Sequence, residues 1–196
     1  MPAKKRAANA AQDSLAPLVR RILADLGEDP AREGLLKTPE RVAESIRFLT
    51  QGYSMDPQVV LNGATFDETV DEMVVVRDIE LYSLCEHHLL PFFGRAHIGY
   101  IAQGRVLGVS KLARLVDHFS RRLQVQERLT AQVANYLQST LQPKGVGVVL
   151  EAEHLCMSLR GVRSGGASTV TSALKGLVRD DPRTRSEFLS LAGTSG

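Results

Sequence analysis

Three side chains of this sequence have the chemistry and spacing of metal ligands. Cys85 and His88 lie three residues apart in the segment Cys85-Glu86-His87-His88, and Cys156 follows far downstream. Thiolate and imidazole are ligands that zinc prefers, and catalytic zinc sites use three protein ligands and leave a fourth position for water. The pattern therefore predicts a Cys2His zinc site with one open position.

Two further histidines flank the predicted ligands. His87 precedes His88, and His154 lies two residues before Cys156. Imidazole titrates near neutral pH and can accept or donate a proton there. We therefore predict that His87 and His154 move protons in a reaction in which metal-activated water attacks an electron-poor carbon.

A second group of candidate residues stands at a predicted helix start. Ser110, Lys111 and Arg114 fall near the first turn, where free backbone N–H groups and the helix dipole favour an anion. Arg160 follows the metal-binding segment. If the two regions converge, the three basic side chains could hold a triphosphate whose base lies at the zinc, with Glu127 accepting from the base edge. The alternative is an ordinary solvated face.

Composition limits the class of protein. The chain has 196 residues, 43% of them hydrophobic, and a formal net charge of +2. We expect one well-buried domain and no overall field for binding nucleic acid or an anionic membrane. Its two cysteines, neither in a CxxC pair, argue against a disulfide framework but leave a Cys85–Cys156 disulfide open. Without an apolar leader or spanning segment, we expect a cytoplasmic protein.

The first part of the chain is predicted to be helical. Residues 1–13 are rich in alanine and polar side chains, which predicts a flexible tail. Apolar residues at helical spacing predict a pair of helices over about 14–52, with Thr38 as the N-cap of the second. We assign no regular structure between 56 and 69.

Strands are predicted from Glu72 onward. A β-rich run leads into the metal segment, which places it on a loop at a strand end. Residues 94–102 and 105–109 are predicted to form a hairpin, followed by a helix that Ser110 caps and a second helix after Gln124.

The remaining pattern predicts two strands and a last helix. Residues 145–160 alternate so that His154, Cys156 and Arg160 would share one face of a strand. Residues 168–178 favour another strand, and Asp181-Pro182 opens the helix. His97 and His118 have no comparable polar neighbours and are expected to be core or surface residues.

Taken together, these motifs closely resemble GTP cyclohydrolase I over about residues 14–192. The segments that carry the resemblance, in chain order, are Val70-Asp71-Glu72-Met73, Cys85-Glu86-His87-His88, Gly108-Val109-Ser110-Lys111-Leu112, Gln124-Val125-Gln126-Glu127-Arg128-Leu129-Thr130 and Arg160-Gly161-Val162. The resemblance implies an α+β tunnelling fold (T-fold), an antiparallel sheet with helices packed on one side that assembles into an oligomeric barrel. It also implies a single catalytic domain at 14–196, with its T-fold core at about 70–192.

The resemblance assigns a role to each candidate residue. The implied ligands of Zn²⁺ are Cys85, His88 and Cys156. The implied catalytic residues are His87, His154 and Ser110, the last beside the ribose and phosphates. The implied substrate contacts are Glu127 and Gln126 for guanine, and Lys111, Arg114, Arg160 and, from a neighbouring subunit, Arg41 for the triphosphate.

The implied reaction is hydrolysis of GTP at purine C8, with release of formate, rearrangement of the ribose and ring closure to 7,8-dihydroneopterin triphosphate. The implied assembly is a homodecamer of two pentamers with active sites between subunits, and no nucleic-acid or membrane partner is expected. The segment Arg163-Ser164-Gly165-Gly166 departs from familiar members without removing a site residue.

Three other functions fit parts of the pattern. A nucleoside deaminase also uses a His/Cys/Cys zinc, but its HxE and PCxxC signatures are absent. A nitrile reductase of the related tunnelling-fold group would use a cysteine nucleophile and NADPH. A non-enzymatic, zinc-stabilised oligomerisation module would normally close its site with four protein ligands.

Fe(II) or Mn(II) could also compete for the metal site.

Overall fold

The computed structural model of the chain describes residues 14–193, in two compact units that divide between Thr50 and Gln51. The predicted tail at 1–13 lies outside the described residues, and the single catalytic domain at 14–196 stays a prediction. Within 14–193, no helix combines the length and apolar character needed to cross a membrane.

The first unit confirms the predicted helical pair. Its elements are α1 (Leu15–Asp25), a 3-10 turn at Glu33–Leu35, and α2 (Thr38–Leu49). Helix α1 is followed by Gly27 at φ 85°, a left-handed conformation that glycine adopts without steric cost. The predicted cap of α2 is wrong, because Lys37 occupies the N-cap position without a side-chain hydrogen bond and Thr38 is already helical.

The second unit contains a sheet and the remaining helices. Its strands are β1 (Thr65–Asp67), β2 (Met73–Cys85), β3 (Pro91–Ile101), β4 (Arg105–Leu107), β5 (Leu123–Gln124), β6 (Gly145–His154) and β7 (Ser168–Gly176). Its helices are α3 (Pro57–Leu61), α4 (Val109–Ser120), α5 (Gln126–Leu141), α6 (Leu155–Ser158), α7 (Leu177–Asp180) and α8 (Pro182–Ala192), with a 3-10 turn at Gln51–Tyr53.

The main sheet has the strand order β5-β2-β3-β6-β7 and is antiparallel except where β5 joins β2. Helices α4 and α5 cover one face and supply its main core with Leu112, Leu115, Leu129, Val133 and Leu137, all fully buried. This arrangement confirms the predicted α+β fold class. Helix α8 packs on the opposite face through Phe188.

The predicted hairpin between residues 94–102 and 105–109 is wrong. Strand β4 pairs with β1, in the register Thr65 to Leu107, and the two form a separate two-stranded sheet. Strand β3 is bonded to β2 on one side and to β6 on the other, so it has no free edge for β4. The hairpin partner of β3 is β2, and residues 86–90 connect them.

The two histidines set aside as core or surface residues are buried. His97 is 7% exposed, and its Nδ1 accepts a hydrogen bond from the backbone N–H of Asp78 at 3.3 Å. His118 is 2% exposed and lies 2.7 Å from Arg122 Nη2, measured at its Nε2. Burial, with the neighbouring guanidinium of Arg122 as a smaller cause, lowers the pKa of His118, so its neutral form is favoured.

The second core depends on two glycines that lie opposite each other in β3 and β6. A Cβ placed on Gly99 would lie 2.6 Å from the Phe188 ring, and one placed on Gly147 would lie 2.5 Å from it. These distances are shorter than van der Waals contact, so the ring can seat on the sheet only because both side chains are absent.

We predict that Gly147→Ala destabilises the protein by about 1–3 kcal/mol, because Phe188 must shift out of a close-packed position. Urea unfolding at fixed protein concentration measures the change. Gly165→Ala is the matched control, since a Cβ there meets no atom within 4 Å, and it should leave the transition unchanged. Equal stability of both variants would contradict the packing argument.

Candidate metal and substrate site

Strand pairing brings the predicted metal ligands to one end of the sheet. Phe92 of β3 pairs with Ser83 of β2 on one side and with His154 of β6 on the other. Because β2 and β6 both run antiparallel to β3, they run in the same direction. Cys85 and Cys156 therefore each follow this row by two residues and emerge at the same sheet end.

The three predicted ligands converge. Donor atoms of Cys85, His88 and Cys156 all lie within 4.8 Å of one another. The two sulfurs are 3.9 Å apart, and His88 Nδ1 is 3.9 Å from the Cys85 sulfur. Zinc–sulfur bonds of about 2.3 Å in tetrahedral geometry would place two thiolates about 3.8 Å apart. The donor set therefore has the dimensions and the chemistry of a Cys2His metal site.

The element that carries Cys156 differs from the predicted strand. Strand β6 ends at His154, and Cys156 lies on the helical turn α6, so the predicted strand over 145–160 is wrong beyond His154. From Gly145 to Leu150 the strand is buried on both faces, whereas the alternating sequence pattern predicts only that its residues point to two faces in turn. Arg160 follows α6 as an exposed residue rather than ending a strand.

The electrostatics of the thiols favour a bound cation. Burial, and after it the adjacent Cys85 sulfur, raises the pKa of the Cys156 thiol, while the nearby Arg160 lowers it to a smaller extent. Two adjacent thiolates repel each other, and a divalent ion between them removes that repulsion. Both cysteines are free rather than disulfide-bonded.

His154 is held in one orientation by Phe92 and Gln126. Its ring stacks on Phe92, with the ring centres 4.6 Å apart and the planes 7° from parallel. Its Nε2 lies 2.8 Å from Gln126 Oε1. The Gln126 amide nitrogen donates to the carbonyl oxygens of Leu150 and Thr169, which leaves the Gln126 oxygen to accept from His154. His154 therefore carries its proton on Nε2, and Nδ1 is an acceptor.

The protonation state of His154 is shifted by its surroundings. Burial lowers the pKa of His154, and the carboxylate of Glu127 opposes this to a smaller extent. His154 is thus neutral near pH 7, with Glu127 close enough to act on it. Glu127 itself is exposed on the first turn of α5, whereas the adjacent Gln126 is 1% exposed.

His87 lies on the solvent side of the metal ligands. Its side chain is 64% exposed, and its Nδ1 lies 3.8 Å from the Cys85 sulfur. It is outside the group of donor atoms that are mutually within 4.8 Å. This position leaves His87 next to the site and free to exchange protons with solvent.

An ion pair joins the metal-binding loop to helix α5. Arg128 Nη1 and Nη2 both donate to the carboxylate of Glu86, the second at 3.0 Å. The hydrogen bond from Arg128 is the largest cause that lowers the pKa of Glu86. Sequence reasoning missed this pair, although both residues belong to the quoted motifs.

The predicted phosphate-binding residues lie on α4, away from the metal ligands of the same chain. The C-terminal end of α4 meets β2 near the metal site, because the Ser83 hydroxyl donates to Ser120 O at 2.7 Å. Ser110 is ten residues earlier on the helix, which is about 15 Å at 1.5 Å per residue. Within one chain the two regions therefore do not converge, and the roles of Ser110, Lys111, Arg114 and Arg160 at the triphosphate stay predictions.

The helix start also differs in detail. Helix α4 begins at Val109 with Gly108 as its N-cap, so the predicted Ser110 cap is wrong and Ser110 is an exposed helical residue. Lys111 is 9% exposed and donates from Nζ to Val60 O at 3.2 Å, whereas Arg114 is exposed.

Arg41 belongs to the first unit of the chain. It lies on α2 as an exposed residue, and its backbone N–H donates to Lys37 O at 3.1 Å. Its role as a triphosphate contact stays a prediction.

A mostly antiparallel sheet backed by two helices, with a Cys-His-Cys group that could hold a metal ion and the half-buried His154 beside it, defines an α+β protein with a candidate metal site at one end of its sheet. The family model described as GTP cyclohydrolase I matches residues 15–193. The chain belongs to the GTP cyclohydrolase I family, and the T-fold is the architecture expected from the resemblance.

Relatives from distant organisms agree with this assignment. GTP cyclohydrolase 1 of Chlorobium chlorochromatii is 59% identical over 179 residues, which cover 91% of this chain and 80% of that protein. The Leptospira biflexa protein of the same name is 58% identical, with 90% and 97% covered. The Rattus norvegicus protein is 57% identical, with 91% and 74% covered.

A solved structure of an archaeosine synthase, QueF-Like, aligns with TM-score 0.45 and 18% identity over 53% of this chain and 93% of that one.

We predict that Cys156→Ala abolishes metal binding, whereas His87→Ala retains it, because Cys156 belongs to the mutually close donor set and His87 does not. Metal content after dialysis, measured by atomic emission, checks both variants. His97→Ala serves as a control for loss of a histidine elsewhere. Equal metal loss in Cys156→Ala and His87→Ala would contradict the division of roles.

Proposed function

We propose that this chain hydrolyses GTP at purine C8, releases formate and closes the rearranged product to 7,8-dihydroneopterin triphosphate, using a zinc ion held by Cys85, His88 and Cys156. The observation that carries the proposal is the convergence of these three donor atoms within 4.8 Å, beside the half-buried His154, whose pKa is lowered by burial. Family membership supplies the substrate and the product.

The donor set suits zinc in particular. Two thiolates and one imidazole are soft and borderline ligands, which disfavour magnesium and calcium. When bound, zinc at a three-ligand site supplies a water molecule whose pKa is lowered towards neutrality. Use of both cysteines as metal ligands also suits a reducing compartment, so we expect a cytoplasmic location.

The acid–base residues divide the proton transfers between them. Ring opening needs a base for the attacking water and a proton for the ring nitrogen that leaves C8. His154 presents an unprotonated Nδ1, fixed by Gln126 and Phe92, and can take the proton. His87 is exposed next to the ligands and can deliver a proton obtained from solvent.

Substrate recognition uses separate polar groups for the base and the phosphates. The guanine edge presents a ring N–H and an amino group. The two oxygens of the exposed Glu127 carboxylate can accept one hydrogen bond from each. Gln126, predicted beside guanine, is buried and bonded within the protein, so its part is to orient His154 next to the guanine-binding Glu127. Lys111, Arg114 and Arg160 carry the charge needed for the triphosphate, with Ser110 beside the ribose.

The site is completed by a second copy of the chain. In one chain, Ser110 and Lys111 lie at the far end of α4 from the metal ligands, while GTP must reach both regions at once. The α4 start of one copy therefore lies beside the metal site of its neighbour. Arg41 is likewise expected to come from a neighbouring copy.

The sheet offers edges at which copies can pair. In the part of the chain that the structure describes, β7 has a strand partner only on its β6 side. On the outer side of β2, β5 pairs only with Leu84 and Cys85, which leaves most of the strand free. Open edges are templates for strand addition, and head-to-tail pairing of β7 with β2 closes a ring. A decamer of two such pentameric rings is the assembly we expect.

The direct test incubates the purified, zinc-loaded protein with GTP and follows pterin absorbance and formate release. A chelator-treated sample runs in parallel. Formation of both products by the zinc-loaded sample, with at least about a hundredfold loss after metal removal, is the expected result. A folded, zinc-loaded protein that forms neither product would contradict the proposal.

We predict that two variants impaired in different parts of the site restore activity when they share one assembly. Cys156→Ala retains the α4 start but loses the metal site, and Lys111→Ala retains the metal site but weakens the phosphate contacts. An intact site takes its metal ligands from a Lys111→Ala copy and its α4 start from a neighbouring Cys156→Ala copy. In a randomly mixed ring each choice has a chance of one half, so about a quarter of the sites are intact.

Coexpression with two affinity tags, followed by a GTP assay, measures the restoration. Mixing Cys156→Ala with Cys85→Ala is the control and should restore nothing, because both variants lack the same part. No gain from the Cys156→Ala and Lys111→Ala mixture would contradict a site built from two copies.

A further inference from the structure

The loop that carries His88 is a compact turn held by its own backbone. Within it, Cys85 N–H donates to Leu90 O at 2.8 Å, and Leu89 N–H donates to Cys85 O at 2.9 Å. Leu89 adopts a left-handed φ of 56°, which closes the turn. The loop is therefore stiff in itself, and its placement is set by the contacts it makes with neighbouring elements.

Glu86 makes two such contacts, and both lead to the start of α5. Its backbone N–H donates to Gln124 O at 3.0 Å, and its carboxylate accepts both terminal nitrogens of Arg128. Gln124 and Arg128 lie on either side of Glu127 in the chain. Glu86 is also the residue directly after the ligand Cys85.

We propose that the Glu86–Arg128 ion pair is a brace that sets the position of the metal ligands relative to the Glu127 carboxylate. This inference rests on the proposed function, in which Glu127 holds guanine. Both members are positioning residues, because neither belongs to the converging donor set, and the Glu86 carboxylate approaches His87 Nε2 only to 3.9 Å. The brace aligns C8 of the base with the water that attacks it.

The geometry and exposure of the ion pair indicate that it positions the metal-binding loop rather than stabilising the folded protein. The guanidinium binds the carboxylate through two parallel donors, an arrangement that fixes direction as well as distance. Its side chains are 46% and 30% exposed, and exposed ion pairs contribute little to folding free energy. A displacement of about 1 Å between reacting groups can nevertheless cost about a hundredfold in rate.

The test compares Arg128→Met, which removes the charge and both donors, with Arg128→Lys, which keeps the charge but loses the two-pronged contact. Lys144→Met is the matched control, because Lys144 forms another surface ion pair, with Asp71 at 2.7 Å. The zinc-loaded proteins are assayed for kcat, KM for GTP, zinc content and melting temperature.

We expect Arg128→Met to lower kcat about tenfold, with zinc content, KM and melting temperature close to those of the unmodified protein. The kcat of Arg128→Lys should fall between those of Arg128→Met and the unmodified protein. Lys144→Met should keep full kcat. An unchanged kcat in Arg128→Met would overturn the brace. So would a loss of kcat matched by a loss of zinc or of melting temperature, which would mean a purely structural role.

A second readout does not depend on turnover. Cobalt(II) in place of zinc gives visible absorption that reports the surroundings of the metal, and GTP should shift this spectrum in the unmodified protein. Arg128→Met should bind cobalt and show a smaller shift, whereas a full shift would overturn the brace. A GTP-dependent shift in an unmodified protein that forms no product would refute the proposed hydrolysis and leave the brace supported by the difference between the variants.

Discussion

The register in which β3 pairs with both of its neighbours is the constraint on which the site depends. One row of residues, Ser83, Phe92 and His154, runs across three strands, and each cysteine follows its row member by two positions. A slip of one residue would turn the following side chains to the other face of the sheet. The metal site thus requires that two strand pairings, distant in sequence, both hold their register.

The first turn of α5 performs three tasks with three consecutive residues. Successive residues of a helix point about 100° apart, so Gln126, Glu127 and Arg128 face in three directions. Gln126 points into the protein and orients His154, Glu127 is exposed beside that histidine, and Arg128 binds the metal loop through Glu86. One helix start therefore ties proton transfer, base recognition and metal placement together under the proposed function.

Separation of the two parts of the site makes assembly a condition of activity under the proposed function. Helix α4 extends from the metal end of β2, at Ser120, to the basic residues around Lys111, and its length keeps them apart in one chain. A substrate with a base at one end and a triphosphate at the other can then be held between copies. Open edges on β2 and β7 provide a way for copies to join.

The sequence by itself determined the donor set, the two histidines beside it and most of the order of helices and strands, although not α3 and β1 between residues 56 and 69. Those depend on residue type and local periodicity, which can be read along the chain. Tertiary structure decided that β4 pairs with β1, that Cys156 lies on a helical turn after His154, and that Lys111 is remote from Cys85. Each of these follows from which strand edges are already occupied and where a helix packs, and such contacts join residues far apart in sequence that no local pattern relates.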